Sequence, residues 1–355
     1  MSLIDAATEI RPGEGLDLDR VEAYLKGHIP GLEGPMTIRQ FPSGFSNLTY
    51  FVRVGERELV LRRPPHGTKA KSAHDMGREF RVLTALRPHF PYCSRALAFC
   101  TDESLMGCQF YVMERITGII VRKDLPPGLD LGPEQMGRLT RRLVEVMAEL
   151  HGVDHQAAGL ADLGKPEGYV RRQVEGWSLR YRNARTDNVP DGEDVMAWLA
   201  AKMPPESARP AIIHNDFKLD NVVLDPADPL KIIGVLDWEM ATLGDPLMDL
   251  ACTLAYWVQA DDPPELRHIS AMPTIRPGSL TRAQAVEHYA QITGRVMDQM
   301  DFYYCFGLFR LVVIVQQIYY RFHLGQTQDP RFAQLPAMVK ALLAQAGRVS
   351  EKSAL

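Results

Sequence analysis

The sequence predicts an α+β protein in two parts, strand-rich up to about residue 115 and mostly helical beyond it. Three observations predict this. Residues 36–63 alternate apolar and polar side chains around a small-residue hairpin and a Gly55-Glu56-Arg57-Glu58 turn, the period of strands. After Pro126-Pro127-Gly128 the period becomes helical. Among those helices, short apolar runs at 211–214, 221–224 and 231–236 hold His214, Asp216, Lys218, Asn221 and Asp237 at their ends.

In chain order, residues 5–16 carry charges, Pro12 and two glycines and read as a loose lead. Asp17 or Asp19 caps a helix running to about His28, with Val21, Leu25 and Ile29 on one face. Ile38 and Gln40 lead to Ser43-Gly44-Phe45-Ser46-Asn47, then come strands over Leu48–Val54 and Leu59–Arg62. His74–Leu86 reads as a helix with Phe80, Leu83 and Leu86 in phase, and strands follow near 96–100 and 110–113. Helices are expected over 136–151, 169–184, 195–203, 248–259, 281–293, 298–325 and 331–346. The expected division is 1–34, 35–115 and 116–355.

A length of 355 residues suits two domains or two lobes. With 40 Lys+Arg against 44 Asp+Glu, the net charge of −4 gives no reason to expect nucleic acid or an anionic membrane as partner. The five cysteines, Cys93, Cys100, Cys108, Cys252 and Cys305, contain no C-x-x-C pair and read as reduced thiols of a cytoplasmic protein. No basic stretch followed by an apolar run opens the chain, so no secretory signal is expected. Phe302–Tyr320 is very apolar, but Arg310, Gln316 and Gln317 interrupt it and make a buried helix the better reading than a membrane span.

Phosphoryl transfer needs a group to orient the attacking hydroxyl, oxygen ligands for Mg²⁺ and cations for phosphate oxygens. Protein kinases arrange this as H-R-D-x-x-x-x-N followed by a second Asp on metal. His214, Asp216 and Asn221 have that spacing, and Asp237 follows sixteen residues after Asn221. Asp and Asn in loops are more often turn residues. The ordered set, with a strand-rich region upstream, favours phosphoryl transfer over that reading.

On these residues the chain resembles the aminoglycoside phosphotransferase and choline kinase group of kinase-like enzymes, from about Phe41 to about Tyr256. His214-Asn215-Asp216-Phe217-Lys218-Leu219-Asp220-Asn221 resembles the catalytic loop, Leu236-Asp237-Trp238-Glu239 the metal-binding segment, and Leu243-Gly244-Asp245-Pro246-Leu247-Met248-Asp249-Leu250-Ala251 the segment after it. Together with Leu61-Arg62-Arg63-Pro64-Pro65 and Ala73-His74-Asp75-Met76, the pattern is most similar to phosphotransferase domains fused to, or encoded beside, acyl-CoA dehydrogenases.

The resemblance implies a bilobal protein-kinase-like fold. Residues 35–115 would be the nucleotide-binding lobe, an antiparallel sheet with one main helix, and 116–355 a mostly helical lobe with catalytic loop and acceptor-binding helices. It implies ATP and Mg²⁺ as cofactors, Asp216 as base or hydroxyl orienter, and Asn221 and Asp237 as metal ligands. Lys218 would meet the γ-phosphate, its alternative being an exposed loop lysine. Glu79 would pair with the strand cation Arg62, its alternative being a solvated helix face. Ser43, Gly44, Ser46 and Asn47 would lie over the phosphates, Met113, Glu114 and Arg115 at the adenine hinge, and Asp245 and Asp249 would hold the catalytic loop. Two departures bear on nucleotide affinity: Arg62 replaces the usual Lys, with Arg63 the occupant if the register slips by one, and the phosphate loop has one glycine.

The stretch 165–187 holds six cations, Lys165, Arg171, Arg172, Arg180, Arg182 and Arg185, against three anions. That favours a small hydroxylated anionic acceptor such as a hydroxyacyl-CoA, with Trp177, Tyr169 and Tyr181 as stacking surface, and a functional link to an acyl-CoA dehydrogenase. A solvated helix face is the competing reading of the charges. The competing functions are a catalytically silent nucleotide-binding regulatory protein and an aminoglycoside O-phosphotransferase.

Overall fold

Asp17 opens the first helix by accepting a hydrogen bond from the Arg20 N–H at 3.2 Å, which decides between the two candidate caps. The structure, a computed structural model, describes residues 3–42, 47–65, 75–327 and 329–355. In chain order the elements are α1 (Leu18–His28), β1 (Met36–Gln40), β2 (Leu48–Val54), β3 (Arg57–Arg63), α2 (Met76–Leu86), β4 (Ala96–Cys100) and β5 (Phe110–Glu114). There follow α3 (Pro133–His151), α4 (Tyr169–Ala184), α5 (Glu193–Ala201), β6 (Ala211–Ile213), β7 (Val222–Leu224), β8 (Ile232–Val235) and β9 (Thr242–Gly244). The chain ends with α6 (Pro246–Tyr256), α7 (Pro264–His268), α8 (Arg282–Thr293), α9 (Met300–His323) and α10 (Leu335–Lys352). The α+β class expected from the sequence is that observed.

Contacts divide the chain into two compact units: Met1–Ile120 with Ala157–Leu160 and Val222–Ala241, and Val121–Gln156 with Ala161–Asn221 and Thr242–Leu355. In the first unit an antiparallel sheet runs in the order β1-β2-β3-β5-β4. Period-two alternation gives it two different faces. Tyr50, Val52, Leu59, Leu61, Phe110 and Val112 pack with Val21 and Leu25 of α1. The other face carries Arg62 and Tyr111, partners across β3 and β5, toward α2. Asp75 caps α2 through the Arg78 N–H at 2.9 Å. His74, expected to start that helix, lies outside the described residues. The hairpin β7–β8 also belongs to this unit and is bridged to Ile119 through Leu224.

In the second unit β6 pairs with β9, and both α7 and β9 went unanticipated because elements of five and three residues show no period. Pro133 and Pro246 occupy first-turn positions, so α3 and α6 begin earlier than periodicity suggests. Helix α9 is long and apolar enough to cross a membrane by length and composition, but 78% of its most apolar window is buried. It packs against α4, α5, α6 and α10, which accounts for an apolar surface all round.

Gly307 sets the α6–α9 distance, because a Cβ there would stand 2.3 Å from the carbonyl oxygen of Ala251. Gly307→Ala is expected to lower unfolding free energy by about 1–3 kcal/mol, read by chemical denaturation. Gly27→Ala, in helix α1 with nothing within 4 Å of the added methyl, should leave it unchanged or raised.

Candidate active site

Strand β6 ends in the loop His214–Asn221, and the backbone of that loop is fixed by one buried carboxylate in its own unit. Asp249 on α6 accepts the His214 N–H at 2.7 Å on Oδ2 and the Asn215 N–H at 2.7 Å on Oδ1. Its Oδ2 also meets Nε2 of His151 at 3.1 Å, whose Nδ1 meets the Tyr289 hydroxyl at 2.7 Å. Burial alone would raise the Asp249 carboxyl; the hydrogen bonds and charge of His151 and of His214 outweigh it and hold Asp249 below the ordinary carboxylate range. Asn215 sits at φ 65°, a left-handed conformation, and its Oδ1 accepts from the Tyr169 hydroxyl at 3.3 Å. The Asp216 N–H donates to Nδ1 of His214 at 3.3 Å.

This loop brings Asp216, Lys218 and Asn221 together. Lys218 Nζ lies 2.9 Å from Asp216 Oδ2, and Asn221 Nδ2 donates to the Asp216 carbonyl at 2.8 Å and to Asp216 Oδ2 at 2.9 Å. Lys218 also sits over the Tyr256 ring, 4.8 Å from its centroid, and is not an exposed loop lysine. Burial would lower its ammonium pKa, but Tyr256, Asp216 and Asp220 raise it. Of the two aspartates expected to hold the loop, Asp249 does so. Asp245 instead caps α6 through the Leu247 N–H at 2.9 Å and accepts from the Tyr303 hydroxyl.

In the other unit Arg62, Glu79 and Asp237 meet. Arg62 Nη1 donates to Glu79 Oε1 at 2.6 Å and Nη2 to Asp237 Oδ1 at 2.8 Å. Glu79 is 1% exposed, so the solvated-face alternative does not hold. Burial pushes its carboxyl up, and Arg62 works against that. Arg63 turns to the opposite face of β3, where Nε donates to the Pro64 carbonyl, so the register without a slip is the right one. Glu239, to which the sequence reading gave no role, accepts from Nδ2 of Asn47 at 2.7 Å. Its position two residues beyond Asp237 is the signal that was there to use.

The remaining expected residues are placed as follows. Ser43, Gly44 and Ser46 lie outside the described residues. Met113 and Glu114 end β5, and Glu114 faces Arg95 at 3.6 Å. Arg115 is engaged by Glu58 at 2.9 Å and by the Asp5 carbonyl at 2.5 Å, over the Phe51 ring. The expected stacking surface is corrected: Tyr169, Trp177 and Tyr181 are buried, because they are the inward face of α4. The arginines 171, 172, 180, 182 and 185 are exposed, with Arg182 on Glu193 at 2.6 Å and Arg172 on the carbonyls of Lys165 and Glu167.

Mg²⁺ takes oxygen ligands and commonly only one or two carboxylates beside substrate phosphates. The donor chemistry present in each unit is compatible with this: Asn221 spends both amide hydrogens on Asp216, which leaves Oδ1 as the amide atom a metal could take, and Asp237 of the other unit carries a carboxylate about a third exposed. Among the described residues no group of three His, Cys, Asp or Glu forms a metal cage.

Because the folded Asp249 carboxyl is depressed, its contribution is present above the ordinary carboxylate pKa and is lost as pH falls through the depressed value. The stability gap between wild type and Asp249→Asn should therefore be widest near neutral pH and shrink in acid, as read by thermal melts across pH.

The profile of the phosphotransferase enzyme family matches residues 37–284. A crystal structure from Ralstonia eutropha, described provisionally as an aminoglycoside phosphotransferase, superposes with TM-score 0.81 and 30% identity over 96% of this chain and 100% of that one. Choline kinase from Cryptosporidium parvum shares the fold, with TM-score 0.66 and 12% identity over 94% and 96% of the two chains. Acyl-CoA dehydrogenase family member 10 of Mus musculus is 36% identical over 90% of this chain and 30% of its own length. Member 11 of Gallus gallus is 31% identical over 96% and 44%. The chain thus spans less than half the length of these relatives, and they bear out the similarity to domains associated with acyl-CoA dehydrogenases. On the reach of the family profile and the full-length match at 30% identity, the chain belongs to the phosphotransferase enzyme family.

Proposed function

We propose that this phosphotransferase moves the γ-phosphate of ATP, with Mg²⁺, to a hydroxyl of a small anionic metabolite such as a hydroxyacyl-CoA. The observation that carries the reading is the hydrogen-bonded set Asp216, Lys218 and Asn221 on a loop held rigid by Asp249. Asp216 orients the acceptor hydroxyl and takes its proton as the new oxygen–phosphorus bond forms and the bond to the departing ADP breaks. Lys218 pairs with Asp216 and offers its charge to the transferred group. Asn221 and Asp237 are the metal ligands, and the metal, when bound, neutralises charge on the phosphates. Asn47 and Arg62, with Ser43, Gly44 and Ser46, serve the nucleotide phosphates, Glu79 pairs with Arg62, and Met113 to Arg115 serve the base.

The anionic acceptor is supported by the exposed arginines of α4 and by relatives that carry the name acyl-CoA dehydrogenase. A cytoplasmic setting is supported by five free cysteines. The name of the Ralstonia structure favours a second reading, an aminoglycoside O-phosphotransferase.

Asp216→Asn should lower turnover by about 10²- to 10⁴-fold while leaving nucleotide binding nearly unchanged. Undiminished turnover in that variant removes Asp216 from the mechanism. A coupled ADP-release assay over hydroxyacyl-CoA, amino-alcohol and aminoglycoside panels separates the acceptors. Turnover confined to aminoglycosides would overturn the anionic reading.

A further inference from the structure

Arg62 holds two carboxylates at once, each with a different nitrogen of the same fork: Nη1 on Glu79 and Nη2 on Asp237. Glu239 Oε2 stands 3.9 Å from the same Nη2 and is itself tied to Asn47. The side chain is nearly buried, and among the described residues its remaining nitrogen, Nε, has no hydrogen-bond partner. The short hydrogen bonds of the guanidinium are therefore committed to the two carboxylates. A planar fork suits this, since two donors in fixed relation serve two acceptors, whereas a lysine ammonium offers one nitrogen for both.

We propose that Arg62 is a resident counter-ion of Asp237, which a divalent cation must displace from Oδ1, so that Arg62 sets the metal affinity of the nucleotide-free protein. The inference rests on reading Asp237 as a metal ligand. Glu79 shares the charge of Arg62 and so weakens its hold on Asp237. Nucleotide phosphates, by drawing the guanidinium to themselves, release Asp237 for the metal. Metal and nucleotide binding are coupled through one side chain, and each favours the other.

The probe is Mn²⁺, added to the full chain without nucleotide and followed by the electron paramagnetic resonance of the free ion. Arg62→Lys should bind Mn²⁺ about ten- to a hundredfold more tightly than wild type, the span expected for loosening a hydrogen bond between charged groups. Glu79→Gln should bind it more weakly, because the guanidinium then answers to fewer carboxylates. Equal Mn²⁺ affinity in wild type and Arg62→Lys overturns the proposal. If Arg62→Lys does not fold, Glu79→Gln decides, and an unchanged or higher affinity there overturns it. Asp237→Asn keeps the two failures apart: if it binds Mn²⁺ with ATP as wild type does, Asp237 is not a ligand and the underlying reading has failed.

Discussion

A carboxylate removed from water is costly unless donors replace its hydration. Asp249, fully buried on α6, has three: two backbone N–H groups and one histidine. Those N–H groups are consecutive, on His214 and Asn215, so satisfying the carboxylate also fixes the loop backbone where it leaves β6. Position follows outward from there. Asn215 is held left-handed, the next residue presents Asp216, and Asp216 in turn organises Lys218 and Asn221. The histidine is anchored by Tyr289 of α8, which makes a helix remote in sequence part of the same support.

The first unit solves a related problem with opposite charge. Arg62 enters the sheet face toward α2, where a cation is tolerated only if paired. Glu79 supplies the pair from α2, and the segment after β8 supplies Asp237. Arg78 of α2 also donates to the Ala241 carbonyl at 2.8 Å, so helix and segment are joined by two arginines in the same helix-facing region. The buried Tyr111 lies in the same region, where burial and the charge of Glu79 push its hydroxyl pKa up and Arg62 works against them.

Much of this was legible in the sequence. The alternation of 36–63 gave three strands with the right partners, and the spacing of His214, Asp216 and Asn221 located the loop. The two arginines 62 and 63 were separable in principle, because neighbouring strand residues face opposite sides. Of the loop's support, Asp249 was expected from the resemblance, but His151 and Tyr289 were not legible: they lie far from it in sequence and each reads as an ordinary helical residue. The role of Glu239 was missed because its partner, Asn47, is 192 residues away. The aromatic side chains of α4 were misplaced for a different reason. Arg171, Arg172 and Arg182 lie on the exposed side of that helix, and Tyr169, Trp177 and Tyr181 on the buried one.

Backbone strain recurs in both units. Asn215 and Asp237 are two of three residues other than glycine with positive φ among the described residues. Each comes two residues after a short buried strand, β6 or β8. A left-handed conformation at such a residue costs roughly 1–3 kcal/mol, and Asn and Asp bear it best because their short polar side chains bond locally. At Asn215 the cost is offset by Asp249 and Tyr169. After Asp237 the turn is pinned by buried Trp238, whose Nε1 donates to the Val235 carbonyl at 2.9 Å and whose ring meets Phe90 edge-on. The left-handed step thus falls just before Asp216 in one unit and on Asp237 itself in the other, and the buried side chains nearby hold a backbone that the local sequence alone would not keep.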